Sequence, residues 1–147
     1  MSSIGTPDMP FSPNQLELQF NHLKVLLVDH SPDSLYLSTA VLESYSMDVM
    51  AVPSAAQALV CLLQFRPQLL ITELCLPEYD GYFLLDNLRG SRDNSLSLIP
   101  AIALTTQASA QDRRQALAAG FQKHIAKPYL IEELIAAIVD LFTPDCL

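Results

Sequence analysis

The sequence predicts an α/β domain in three layers, a five-stranded parallel sheet with helices on both faces. Three observations carry this expectation. Short apolar, β-branched runs such as Val25-Leu26-Leu27-Val28 and Leu69-Leu70-Ile71-Thr72 alternate with longer amphipathic segments. The runs are continuous rather than alternating, as strands buried on both faces require. A chain of 147 residues has room for one such core and not for a second independent domain.

Each element has its own local cause. Val25–Val28 is the first strand, and Ser31-Pro32-Asp33 then supplies a cap, a first-turn proline and a first-turn acid for a helix to about Tyr45. Met47–Val52 is the second strand. Ser54 caps a helix through Phe65 whose buried side is expected to hold Ala55, Leu59, Leu62 and Leu63. Leu69–Thr72 is the third strand, and after an Asp80-Gly81 turn Tyr82–Arg89 is helical. Ile99–Leu104 is the fourth strand, with Pro100 at its entrance. Ala110–Ala119 is a helix stopped by Gly120, Gln122–Ala126 a short fifth strand, and Leu130–Phe142 a final helix ended by Pro144. Residues 1–22, with Pro7, Pro10 and Pro13, read as a flexible extension, residues 23–143 as the domain, and 144–147 as a tail. Within the extension, Asn14–His22 reads either as a short strand or as a turn of helix at the domain edge.

Composition removes several function classes. No apolar run approaches the roughly 20 residues that span a bilayer, and the start lacks the basic and apolar regions of a signal peptide. Cys61, Cys75 and Cys146 are odd in number and scattered, which suits reduced thiols in a cytoplasmic protein rather than a disulfide framework. Eight basic against sixteen acidic residues give a net charge of −8, a balance that disfavours direct binding to nucleic-acid phosphates. Half of the basic residues, Arg113, Arg114, Lys123 and Lys127, fall in one late segment. That reads either as a solvated helix face plus one site lysine or as a patch for a partner.

Acidic and polar residues stand where the strands end. Asp29-His30 follows the first strand and Glu73 the third, with Pro77 and Asp80-Gly81 shortly after; Thr105 follows the fourth and Lys127-Pro128 the fifth. Carboxyl ends of parallel strands are where such sheets place their chemistry. Four motifs in this order, over residues 24–142, resemble the receiver-domain family of bacterial two-component signalling, whose turn pattern is Asp-x-x-x-Pro-x-x-Asp-Gly. The resemblance implies a flavodoxin-like fold with strand order 2-1-3-4-5. It aligns Glu73 with the phosphoacceptor aspartate, Asp29 and His30 with the paired acids, Thr105 with the phosphoryl-binding hydroxyl residue, and Lys127 with the lysine beside the acceptor. His124 aligns with an aromatic switch position, where it reads as a gate, a pH-sensitive group or an exposed strand residue, the last being favoured. A magnesium ion would draw on Asp29, Glu73 and the backbone carbonyl of Cys75.

Two of these positions depart from the pattern. Glu73 carries one extra methylene, moving its carboxylate by about 1.5 Å, and displacements near 1 Å cost on the order of a hundredfold in rate. It is expected to pair with Lys127, with phosphotransfer lost. His30 replaces the second acid, removing a charge and an oxygen; its plain reading is a loop residue beside the Ser31-Pro32 cap. Imidazole suits zinc, copper or nickel better than magnesium, so Asp29, His30 and Glu73 also read as a transition-metal set. The expected function is a receiver that binds rather than catalyses, independent of phosphorylation. It would act through a signalling partner, either a histidine kinase or a downstream effector, since no output domain follows Leu147. A homodimer through the fourth helix, fifth strand and fifth helix, carrying Arg113, Arg114, Lys123, Glu132 and Glu133, is the matching assembly. The alternative is a working phosphoacceptor that uses magnesium. A flavin-type cofactor is excluded, because Asp29-His30-Ser31-Pro32-Asp33 is acidic and lacks the glycines of a phosphate cradle.

Overall fold

Five parallel strands, β1 (Lys24–Val28), β2 (Asp48–Val52), β3 (Leu69–Glu73), β4 (Ala101–Thr105) and β5 (Lys123–Ala126), form one sheet in the order β2-β1-β3-β4-β5. The computed structural model describes residues 20–143. The helices are α1 (Pro32–Ser44), α2 (Ala55–Phe65), α3 (Gly81–Arg89), the short α4 (Asn94–Ser97), α5 (Ala110–Ala119) and α6 (Ile131–Phe142). The expected order and three-layer architecture are thus present, and α4 is the one helix that the sequence pattern did not announce.

The apolar runs are central because both of their faces are covered. Every residue of β3 and β4 is buried, whereas the edge strands β2 and β5 are largely half-buried. Alternate side chains of a strand point to opposite faces. Leu26, Val28 and Leu70 pack with Ala58, Leu62, Leu84 and Leu88 of α2 and α3. Val25, Leu27, Leu69 and Ile71 pack with Leu42 of α1 and Leu134, Ile135 and Ile138 of α6. Leu63 is the exception to the expected buried side of α2: it is 70% exposed, and Ala58 takes the inward place. The reason is geometric, since Ala55, Ala58 and Leu62 follow the helical repeat and Leu63 falls off that stripe.

The caps follow the local chemistry. Ser31, Ser54 and Ser109 each accept a hydrogen bond from a backbone N–H of the first turn, and Ser109 completes a capping box with Asp112. Gly120 closes α5 at φ 118°. Asp80 is a cap as well, accepting from the Phe83 N–H at 2.9 Å, so the Asp80-Gly81 turn is the start of α3 itself. Arg89 ties this region together by donating to the carbonyls of Ser97, Ile99 and Gly120.

The domain begins earlier than residue 23. Phe20 is buried, packs edge-to-face on Phe142, and accepts through its carbonyl from the Leu23 N–H. Burying such a ring stabilises by about 1.5–3 kcal/mol, enough to hold this turn to the core. The expected extension before it and the tail from residue 144 lie outside the described residues, as does most of the Asn14–His22 segment.

Candidate functional site

The strand order sets the site. With β1 between β2 and β3, the chain leaves the sheet in opposite directions after β1 and β3, and a cleft opens over their carboxyl ends. Asp29 follows β1 directly and Glu73 is the last residue of β3; Val28 is paired with Thr72, so the two acids emerge side by side. Both are buried, at 1% and 4% exposure.

Asp29 is held by three donors. Its Oδ1 accepts from the Ser31 N–H at 2.9 Å, and its Oδ2 from the Ser34 hydroxyl at 2.8 Å and from Lys127 Nζ at 2.9 Å. Burial alone would raise its pKa, but these donors and the ammonium charge together hold it below the ordinary 3.8. Lys127 arrives from the end of β5, its backbone N–H donating to the Thr105 carbonyl at 2.7 Å.

Glu73 forms the expected ion pair with Lys127, at 3.9 Å, and has a closer partner in His30. Both of its oxygens lie 2.7 Å from His30 Nδ1, while Lys127 Nζ stands 3.9 Å away and is committed to Asp29. His30 is therefore more than a loop residue: its side chain is half exposed, yet its ring nitrogen closes over a buried acid. Burial raises the Glu73 pKa above the ordinary 4.5, and the nearby Asp29 charge adds to the rise, against the lowering influence of the His30 bond.

The backbone around Glu73 is tightly constrained. The Gly81 N–H donates to the Leu74 carbonyl at 2.9 Å, and a Cβ at Gly81 would come within 2.6 Å of the Glu73 carbonyl oxygen. Only glycine allows α3 to start so close to the end of β3.

The remaining candidates lie apart from this cluster. Thr105 is buried, and its hydroxyl oxygen accepts from the Gln107 N–H at 2.9 Å. It shares a recess of about 210 Å³ with Cys75, Asp80 and Tyr82 that Glu73 does not line. Glu73 instead meets His30, which follows β1. His124 is half-buried rather than exposed, and its Nε2 is enclosed without a hydrogen-bond partner among the described residues. It lies opposite Ala103 in the β4–β5 ladder. Two participants escaped the sequence reading: Ser34, one turn along α1 from the Ser31 cap, and Tyr129, whose hydroxyl meets that of Ser38 at 2.6 Å. The spacing of Ser34 from a capping serine was the available signal for the first.

The magnesium ion that the resemblance implies does not fit these residues. Magnesium requires near-octahedral oxygen coordination at about 2.0–2.1 Å. Here the Asp29 carboxylate is bonded to the Lys127 ammonium, and His30 brings an imidazole nitrogen where the resemblance implies a second acid.

Comparison with known proteins bears on the whole domain. The response regulator receiver domain model matches residues 25–139. An uncharacterized 14.6 kDa protein from the sodA1 3′ region of Leptolyngbya boryana is 35% identical over 126 residues, covering 84% of this chain and 95% of that protein. The DNA-binding dual master transcriptional regulator RpaA of Synechocystis sp. is 29% identical over 78% of this chain, which spans only 47% of that relative. A response regulator structure from Desulfuromonas acetoxidans aligns at 31% identity with a TM-score of 0.72, covering 80% of this chain and 94% of that one. The chain belongs to the response regulator receiver domain family of two-component signalling.

Proposed function

We propose that this receiver signals without phosphorylation, as a protein–protein interaction module with Glu73 in place of the acceptor aspartate. The observation that carries the reading is the pairing of Glu73 with His30, both carboxylate oxygens at 2.7 Å. A phosphoacceptor needs a free in-line oxygen, a cation beside it and donors around the transferred group. Glu73 has its oxygens engaged by His30, and its lysine is bonded to Asp29. Phosphotransfer from a histidine kinase with magnesium, the alternative, requires both to be rearranged.

A binding role is supported by the surface beside the site. A groove of about 470 Å³ runs between α1 and the β5–α6 connection, lined by Leu37, Val41, Tyr129, Ile131 and Leu134, with Lys127 at its edge. Leu37, Ile131 and neighbouring Leu130 are exposed. The α5–β5–α6 face is the second candidate, presenting Arg113, Arg114 and Glu133 for a symmetric dimer. Lys123 contributes less there than its charge suggests, being paired with Asp140 of its own chain.

Incubation with acetyl phosphate and magnesium, followed by intact-mass analysis and peptide mapping, tests the reading. The parent is expected to take up no phosphoryl group. Glu73→Asp alone is expected to stay unlabelled, because His30 still replaces the second acid, whereas Glu73→Asp combined with His30→Asp gains label. A phosphoryl group mapped to Glu73 in the parent would sink the proposal.

A further inference from the structure

The groove between α1 and the β5–α6 connection combines apolar walls with polar groups that call for an acceptor. At about 470 Å³ it has the size of a small-molecule site, for which about 300–1,000 Å³ is usual. Leu37 and Val41 of α1 form one wall, Ile131 and Leu134 of α6 the other. An apolar body filling it would take Leu37 and Ile131, both exposed, out of water. Ser38 and Tyr129, which also line the groove, meet hydroxyl to hydroxyl at 2.6 Å. That contact uses one of their two O–H hydrogens and leaves the other without an acceptor among the described residues. Ser38 is 7% exposed and Tyr129 half-buried, so a spare donor there is costly to leave unpaired. Lys127 has three N–H bonds and gives one to Asp29. Among the described residues no carboxylate lines the groove, in a chain with a net charge of −8.

We infer that this groove binds a small amphipathic carboxylate. Its apolar body sits between Leu37, Val41, Ile131 and Leu134, and its carboxylate accepts from the Ser38–Tyr129 hydroxyl pair and from Lys127. The charge is complementary, because the one charged group lining the groove among the described residues is the Lys127 ammonium. Hydrogen bonds to an ionised acceptor are also about twice as strong as neutral ones. A cationic head would meet that ammonium and find no acid lining the groove to balance it. Binding requires no phosphoryl group on Glu73, so it stands whether or not phosphotransfer is lost. A molecule seated there would cover Leu37 and Ile131, and would compete with a protein partner for the same surface.

Sodium octanoate is the probe and octylammonium chloride its cationic counterpart, each titrated into the full chain and followed by methyl NMR shifts. Saturable octanoate shifts are expected at Leu37, Val41, Ile131 and Leu134, with octylammonium bound about tenfold more weakly or worse. Leu37→Asp and Ile131→Glu place an acid in the groove at exposed positions and should each weaken octanoate about tenfold or more. The double variant Ser38→Ala/Tyr129→Phe removes the spare donor and should weaken it about fivefold. Val60→Asp, exposed on α2 at the other face of the sheet, should change nothing. Absence of saturable shifts at these residues overturns the inference. So does octanoate binding that Leu37→Asp and Ile131→Glu leave intact in variants whose circular dichroism matches the parent. Octylammonium bound as tightly as octanoate overturns the carboxylate, and an unchanged affinity in the double variant overturns the place of the hydroxyl pair. Shifts at the same methyls that follow chain concentration alone would make a second copy the occupant and overturn the inference as well.

Discussion

Asp29 and Glu73 end neighbouring strands, are buried alike, and live in opposite electrostatic conditions. Asp29 collects a backbone N–H, a hydroxyl and an ammonium, and its acidity is strengthened despite burial. The acidity of Glu73 is weakened by burial and by the repulsion of Asp29, against the opposing pull of the His30 imidazole and the Lys127 ammonium. The difference shows that burial alone does not decide how a carboxylate behaves; the number and charge of the donors reaching it do. Glu73 bonds the His30 imidazole at 2.7 Å, while Lys127 bonds Asp29 at 2.9 Å and stands 3.9 Å from Glu73.

The contrast can be broken from its backbone upward. Gly81→Ala is expected to have the largest effect, about 3 kcal/mol of lost stability, because its Cβ would meet the Glu73 carbonyl at 2.6 Å. Urea unfolding of the two proteins measures it. Lys127→Met removes the charged partner of Asp29 and should cost about 2 kcal/mol. That is below the usual cost of breaking a fully buried pair, because Ser31 and Ser34 still donate to Asp29 and the lysine is 16% exposed.

Next is the pH dependence, measured with chelator present. Glu73 has a raised folded pKa, so its contribution to stability is full below 4.5 and is lost as pH rises through the folded value. Asp29 has the opposite sign: its contribution is full above 3.8 and is lost as pH falls through its lowered value. Glu73→Gln should therefore gain on the parent as pH rises from the acid limit toward neutrality. Asp29→Asn should lose ground over the acid part of the same range. Denaturant midpoints with matched slopes would show both trends, and equal pH profiles for the two variants would erase the contrast. The smallest effect is expected for Ser34→Ala, which withdraws one donor from Asp29 at about 1 kcal/mol. Thermal unfolding resolves a change of that size.

The strand positions, the serine caps, the Gly120 stop and the order of site motifs were all legible in the chain, because each follows from neighbours within a few residues. Continuous apolar runs imply strands covered on both faces, and a serine before a helical segment caps it wherever the segment lies. The failures were of another kind. Leu63 is apolar and lies beside the helical stripe, and only the sheet defines which way inward is. Phe20 is held by Phe142, at the far end of the sequence. The burial of the His124 ring nitrogen depends on neighbours that the local pattern does not reveal.

The same boundary runs through the site. The residues and their departures from the receiver pattern belong to the sequence alone: an acid after β1, a glutamate after β3, a lysine after β5. Which carboxylate the lysine takes, and which one the histidine takes, was decided only by tertiary structure. Asp29 and Lys127 are 98 positions apart and His30 and Glu73 are 43 apart. A hydrogen bond is won or lost over less than 1 Å, and side-chain reach at that scale is defined only once β1, β3 and β5 are side by side.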